Sequence, residues 1–160
     1  MWAFERQLNP TGGVQVGGQN VQLPDYDTVY SPLEVLAFVA ARTSRIRLGT
    51  SVMVALLHNP VALARSLATL DRLSNGRVVA NLGQGWMREE FEAARVPMSR
   101  QGAGFAEFVD ALRAVWGPDP VSFAGRFYRI ASSNLNPKPV QAGGSPIIIG
   151  ATTARSPCLG

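Results

Sequence analysis

Three short apolar runs, RIRLGTSVMV at residues 45–54, RVVANLG at 77–83 and PIIIG at 146–150, recur along the chain with helical patterns between them. Their β-branched content and the turn formers that bound them predict strands. Leu33, Leu36, Ala37, Ala40 and Ala41 fall at helical spacing before the first run. Val61, Ala64, Leu67, Ala68 and Leu70 do so between the first and second, and Phe105, Phe108, Ala111, Leu112 and Val115 before the third. Continuous apolar strands alternating with helices argue for an α/β fold with a parallel sheet covered on its faces. Each strand-to-strand step covers roughly the ~30 residues of a βαβ unit, the last one lengthened by an insertion at residues 117–145. Two architectures satisfy this pattern, an open doubly wound sheet and an arc of a (β/α)8 barrel. Both collect ligands at the carboxyl ends of the strands, here residues 51–57, 83–86 and 150–153.

Punctuation supports the element boundaries. Ser31-Pro32-Leu33-Glu34 reads as a capping box with proline at the first helical position. His58-Asn59-Pro60 repeats the cap-plus-proline signal, and Ser74-Asn75-Gly76 stops the helix that follows. A helical pattern from Trp86 to Arg95 breaks at Pro97, and a hairpin is expected around residues 123–128. Residues 10–30 (PTGGVQVGGQNVQLPDYDTVY) show neither helical nor strand period and read as a long excursion loop forming part of a lid.

The 160 residues, 46% of them apolar, suit one domain spanning 1–160 with a real core. The net charge of +4 is carried by singly scattered arginines in a chain only 16% charged. That pattern argues against nucleic acid and suits a phosphate-bearing cofactor. Cys158 and His58 are the sole residues of their kinds, so neither a disulfide nor a metal set is expected, and the compartment reads as cytoplasmic. No apolar run reaches the ~18 to 20 residues of a membrane helix.

Gly83-Gln84-Gly85 supplies only half of a dinucleotide fingerprint, since position 88 is Arg, and there is no P-loop. Two readings remain: a tight strand-to-helix turn, or a backbone thinned for the approach of a flat ligand. Glu89 and Glu90, after Trp86, suit the dipole of a helix first turn without any catalytic purpose. For His58 a capping or solvent-facing role outweighs that of a proton shuttle. Arg47, Arg65, Arg72 and Arg77 read as solvated or helix-terminal partners. Gly150-Ala151-Thr152-Thr153 offers either a phosphate cradle or a plain N-cap.

Taken in order, IRLGTSVMV, HNPVALARSLATLDRLSNGRVV, LGQGWMREEFEAARVP, Arg100, Glu107, Trp116, FAGRFY, NPKPVQ and PIIIGATT resemble the luciferase-like monooxygenase family, specifically its deazaflavin (F420)-dependent oxidoreductase branch. The specificity lies in the combination, and the match runs from about Trp2 to Arg155. The resemblance implies a TIM barrel holding a flavin-type cofactor in its mouth, F420 or alternatively FMN, and hydride transfer between the ring's C5 and a small-molecule substrate. It places a non-prolyl cis peptide at Ser51-Val52 against the ring, sets Gly83, Gly85 and Trp86 beside the cofactor, and assigns its phosphate to Gly150, Ala151, Thr152 and Thr153. Where family members often carry an Asp-His pair after strand two, this chain has Glu5 and Arg6. Glu5 is thereby the first candidate proton carrier and His58 the second.

The resemblance covers about strands two to five of eight, an incomplete barrel, for which a premature stop or a frameshift is the expected cause. Such an arc leaves edges unpaired, which predicts aggregation, a homo-oligomer or pairing with a complementary chain. Alternatives to the F420 enzyme are an FMN-dependent luciferase-like monooxygenase and a catalytically inactive barrel fragment.

Overall fold

The computed structural model describes residues 1–150. A two-residue strand, β1 (Trp2–Ala3), leads into a hairpin of β2 (Val14–Val16) and β3 (Gln19–Val21). The expectation of a featureless loop over residues 10–30 is thus corrected. Val14 pairs with Val21 across a turn at Gly17-Gly18, both glycines holding positive φ (59° and 82°), the geometry that joins twisted strands. A single 3-10 turn, Pro24–Tyr26, follows.

Helix α1 (Pro32–Arg42) begins with proline at its first position. The capping box does not close as expected, because the Ser31 hydroxyl donates to the Glu34 carboxylate instead of taking a backbone N–H. The run at 45–54 forms two strands, β4 (Leu48–Thr50) and β5 (Met53–Val54), separated by a cis peptide bond between Ser51 and Val52. Helix α2 (Pro60–Leu73) starts where the Asn59 side chain accepts from the N–H groups of Val61 (2.9 Å) and Ala62 (3.2 Å). It ends as Asn75 and Gly76 turn to positive φ and the Gly76 N–H reaches back to the Asp71 carbonyl (2.9 Å).

Strand β6 (Val78–Gly83), the short helix α3 (Arg88–Ala93), helix α4 (Ala103–Trp116), the hairpin of β7 (Val121–Ala124) with β8 (Arg129–Ser133), and β9 (Ile147–Ile149) complete the described chain. The insertion at 117–145 therefore carries the expected hairpin.

Every pairing in the main sheet is parallel. β1 lies beside β4, β4 and β5 flank one side of β6, and β9 flanks the other, with Trp2 opposite Gly49, Leu48 opposite Val78, Met53 opposite Leu82 and Ala80 opposite Ile147. Strand positions thus follow chain order with no reversal. A doubly wound sheet has a reversal point, so the arrangement is an arc of a (β/α)8 barrel, not closed among the described residues.

The core lies between the outer face of this arc and the helices, with α2 packed against both α1 and α4. Phe91, Phe108 and Leu112 are fully buried there, and each contributes about 1.5–3 kcal/mol by area removed from water. Two buried charges fix the rear of the arc. Arg77 donates from Nη2 to the carbonyls of Ala40 (3.0 Å) and Thr43 (2.8 Å), satisfying the otherwise orphaned end of α1. Asp71 accepts from the backbone N–H groups of Val140 (2.8 Å) and Gln141 (3.2 Å), tying the insertion to α2.

Candidate active site

Because all strands of the arc run the same way, their carboxyl ends share one rim, and a cavity of about 620 Å³ opens there. Its wall includes Ser51 and Val52 beyond β4, Gly83 at the end of β6 with Gln84 to Trp86 beyond it, and Gly150 beyond β9. The three corners singled out in the sequence are therefore brought together. Ala151, Thr152 and Thr153 lie outside the described residues.

Val52 explains the small residues around it. A Cβ on Gly83 would stand 2.7 Å from Val52 Cγ2, and one on Gly150 would stand 2.9 Å from Val52 Cγ1. The isopropyl group projected by the Ser51-Val52 bend is thus seated between two bare backbones. Gly85 is excluded from carrying a side chain by Val54 Cγ1 at 2.6 Å and Phe91 Cε2 at 2.8 Å. The wall that results presents backbone and one branched apolar group, a surface that fits the face of a flavin or deazaflavin ring.

Glu5 and His58, distant in sequence, meet at this rim. Glu5 follows β1 and is buried, its Oε2 accepting the Val54 N–H (2.7 Å) and its Oε1 accepting from Gln7 Nε2 (2.8 Å). His58 closes the 3-10 turn after β5, which places its Nε2 2.7 Å from Glu5 Oε1. Glu5 lines the cavity, whereas His58 does not and is 26% exposed against 4% for the Glu5 side chain.

Arg6 turns the other way. Its Nη1 pairs with Glu90 Oε2 at 3.2 Å, and its guanidinium faces the rings of Tyr26 (4.8 Å) and Trp86 (5.2 Å). Glu90 also accepts the Gln7 N–H (2.8 Å), so this carboxylate is a buried brace between the end of β1 and α3, where only a dipole partner was expected. Phe4, Arg6, Tyr26, Val54, Gln84 and Gln101 line the cavity without having been selected as site residues. Tyr26 comes from the 10–30 segment, whose expected place near the mouth was the available signal. Gln101, which donates to the Gly85 carbonyl at 2.8 Å, gave none.

The sequence profile of the luciferase-like monooxygenases matches residues 1–157. The chain belongs to this family. Among its relatives, an uncharacterized protein of Mycobacterium tuberculosis is 39% identical over 82% of this chain and 47% of its own length. The F420-dependent glucose-6-phosphate dehydrogenase of Nocardia farcinica is 36% identical over 72% of this chain and 35% of its own. The FMNH(2)-dependent dimethylsulfone monooxygenase of Pseudomonas fluorescens is 38% identical over 51% of this chain and 23% of its own. The crystal structure of monooxygenase RslO1 from Streptomyces bottropensis superposes with a TM-score of 0.76 at 30% identity, covering 92% of this chain and 41% of that one. The chain thus spans less than half the length of these luciferase-like relatives.

Proposed function

We propose that the chain supplies the cofactor-binding portion of an F420-dependent oxidoreductase that moves a hydride between the cofactor and a small organic substrate. The observation that carries this reading is the convergence of Val52, Gly83 and Gly150 on one cavity that also holds the Glu5 carboxylate. F420 is placed first because similarity to an F420-dependent dehydrogenase extends over 72% of the chain, against 51% for the FMNH(2)-dependent monooxygenase.

When bound, the deazaflavin supplies the hydride chemistry. Val52 and the bare backbone at Gly83 and Gly150 orient the ring and exclude water from its face. Glu5 takes or gives the accompanying proton at Oε1, and His58 Nε2, 2.7 Å behind it, passes that proton between Glu5 and solvent. An FMN-dependent monooxygenase is the second reading, supported by the 38% identity shared with the FMNH(2)-dependent dimethylsulfone monooxygenase and by the likeness to the monooxygenase RslO1 at a TM-score of 0.76.

Fluorescence titration of the full chain with F420 and with FMN separates the readings. The expected result is tighter binding of F420, and in Glu5→Gln an unchanged cofactor affinity with turnover lowered about 10²- to 10⁴-fold. Tighter FMN binding with oxygen consumption by the reduced flavin would establish the second reading. Binding of neither would overturn both.

A further inference from the structure

Arg6 is the one cation among the described residues that line the cavity, and its hydrogen-bonding capacity is only partly used. A guanidinium carries five N–H donors in a fixed planar fork and no acceptor. Nη1 donates to Met87 Sδ (3.6 Å) and forms an ion pair with Glu90 Oε2 (3.2 Å). Nε is fully buried without a partner, and among the described residues only Nη1 of this guanidinium has a hydrogen-bond acceptor. The side chain is nonetheless only 8% exposed. A ligand oxygen in the cavity that Arg6 lines would take up the unused Nη2 donors.

Charge and shape narrow what that ligand is. Glu90 neutralises Arg6, and the Glu5 carboxylate occupies the same wall, so an incoming carboxylate or phosphate would meet two negative groups. A neutral carbonyl oxygen gains the unused donors without that repulsion. The rings around Arg6 form a continuous series, with Phe4 5.5 Å from Tyr26, and Tyr26 and Trp86 both against the guanidinium. Phe4 and Trp86 are exposed, which leaves aromatic faces open to stacking.

We propose that Arg6, held between Tyr26 and Trp86 and braced by Glu90, is a specificity-determining donor for a neutral carbonyl oxygen on a planar conjugated ring stacked against this aromatic wall. The inference rests on the cavity being the reaction site proposed above. The carbonyl belongs either to the substrate or to the cofactor ring, which share this chemistry.

The test uses the full chain and three flat probes: xanthone, which carries a neutral carbonyl; dibenzofuran, which has none; and dibenzofuran carboxylate, which is anionic. Binding is read from quenching of tryptophan fluorescence, with F420 and FMN titrated separately. The wild type is expected to bind xanthone about tenfold more tightly than either other probe, the worth of one good hydrogen bond. The double variant Arg6→Met with Glu90→Gln removes both buried charges together, so neither is left unpaired. It should bind xanthone no better than dibenzofuran, with dibenzofuran affinity unchanged. Arg6→Lys keeps the charge and the ion pair but lacks the planar fork, and should lose at least about threefold of the preference; it carries the test if the double variant does not fold.

A loss confined to xanthone assigns the carbonyl to the substrate, and a loss confined to F420 or FMN assigns it to the cofactor ring. Equal affinity for xanthone and dibenzofuran in the wild type, preference for the carboxylate, or no change in any titration on replacing Arg6 would overturn the proposal. Cofactor binding that persists while Arg6 proves irrelevant leaves the functional reading intact. Failure of the wild type to bind either cofactor sinks that reading, whatever the probes do.

Discussion

Gly85 shows how narrowly the rim is built at the scale of one residue. Its φ of 80° lies in the left-handed region, and the place of a Cβ is already filled by Val54 and Phe91. Gly85→Ala therefore combines a backbone penalty with overpacking and is expected to destabilise the chain by about 2–4 kcal/mol in urea unfolding. Gly83→Ala meets only the Val52 side chain and carries no positive-φ penalty, so its cost should be smaller. The glycines at 83 and 85 were visible in the sequence, but their reason was not. The atoms that exclude a side chain at Gly85 belong to Val54, 31 positions earlier, and to Phe91. Glu5 and His58 were both legible as candidates by their chemistry and by family resemblance. Their contact joins residues 53 apart, and no local pattern encodes it. Glu90 stands in the first turn of α3 as expected, but its pairing with Arg6 is not a local fact and no pattern in the sequence discloses it.

Among the elements, the β7–β8 hairpin depends on one carboxylate of α4. Glu107 accepts from the N–H groups of Arg126 (2.9 Å), Phe127 (2.6 Å) and Tyr128 (2.8 Å). Desolvation alone would raise its pKa, but these three backbone donors and the nearby Arg100 prevail and hold it below the ordinary 4.5. A depressed carboxylate pKa stabilises the folded chain above the unfolded value, and that contribution disappears as pH falls through the folded value. Acidification below about 4.5 should therefore release the hairpin from α4 ahead of the core, seen as loss of hydrogen-exchange protection at the Phe127 and Tyr128 amides. Glu107→Gln should flatten this dependence. The sequence disclosed this hairpin, as it did α1, α2, α4 and the strands at 78–83 and 147–149, because each has a clear period and turn formers at its ends. The hairpin at 14–21 was passed over because VQV and QNV are too short to establish a period. The cis bond at Ser51-Val52 came from resemblance alone, and the division of residues 45–54 into two strands was not expected, since apolar residues continue on both sides of that bond.

At the scale of the whole molecule, the arc has one face that the helices cover and one that they do not. Ile147 and Ile149 pack against the core, so alternation along β9 sends Ile148 to the inner face, where it is 49% exposed. Ala3 likewise packs outward, and Trp2 lies over Gly49 on the inner side, 52% exposed. Among the described residues β1 and β9 each pair along one edge only. An apolar concave face between two such strands is expected to be covered, in a solution of one protein, by another copy. Sedimentation velocity across a dilution series is accordingly expected to show association that weakens on dilution. Ile148→Lys should shift the distribution toward monomer, because the ammonium would have to be buried on association but remains solvated in the single chain. Ile147→Lys, directed into the core, should unfold the chain instead. The difference between two neighbouring positions on one short strand separates loss of an interface from loss of the fold. A single monomeric species at every concentration would show that the inner face is stable in water as it stands.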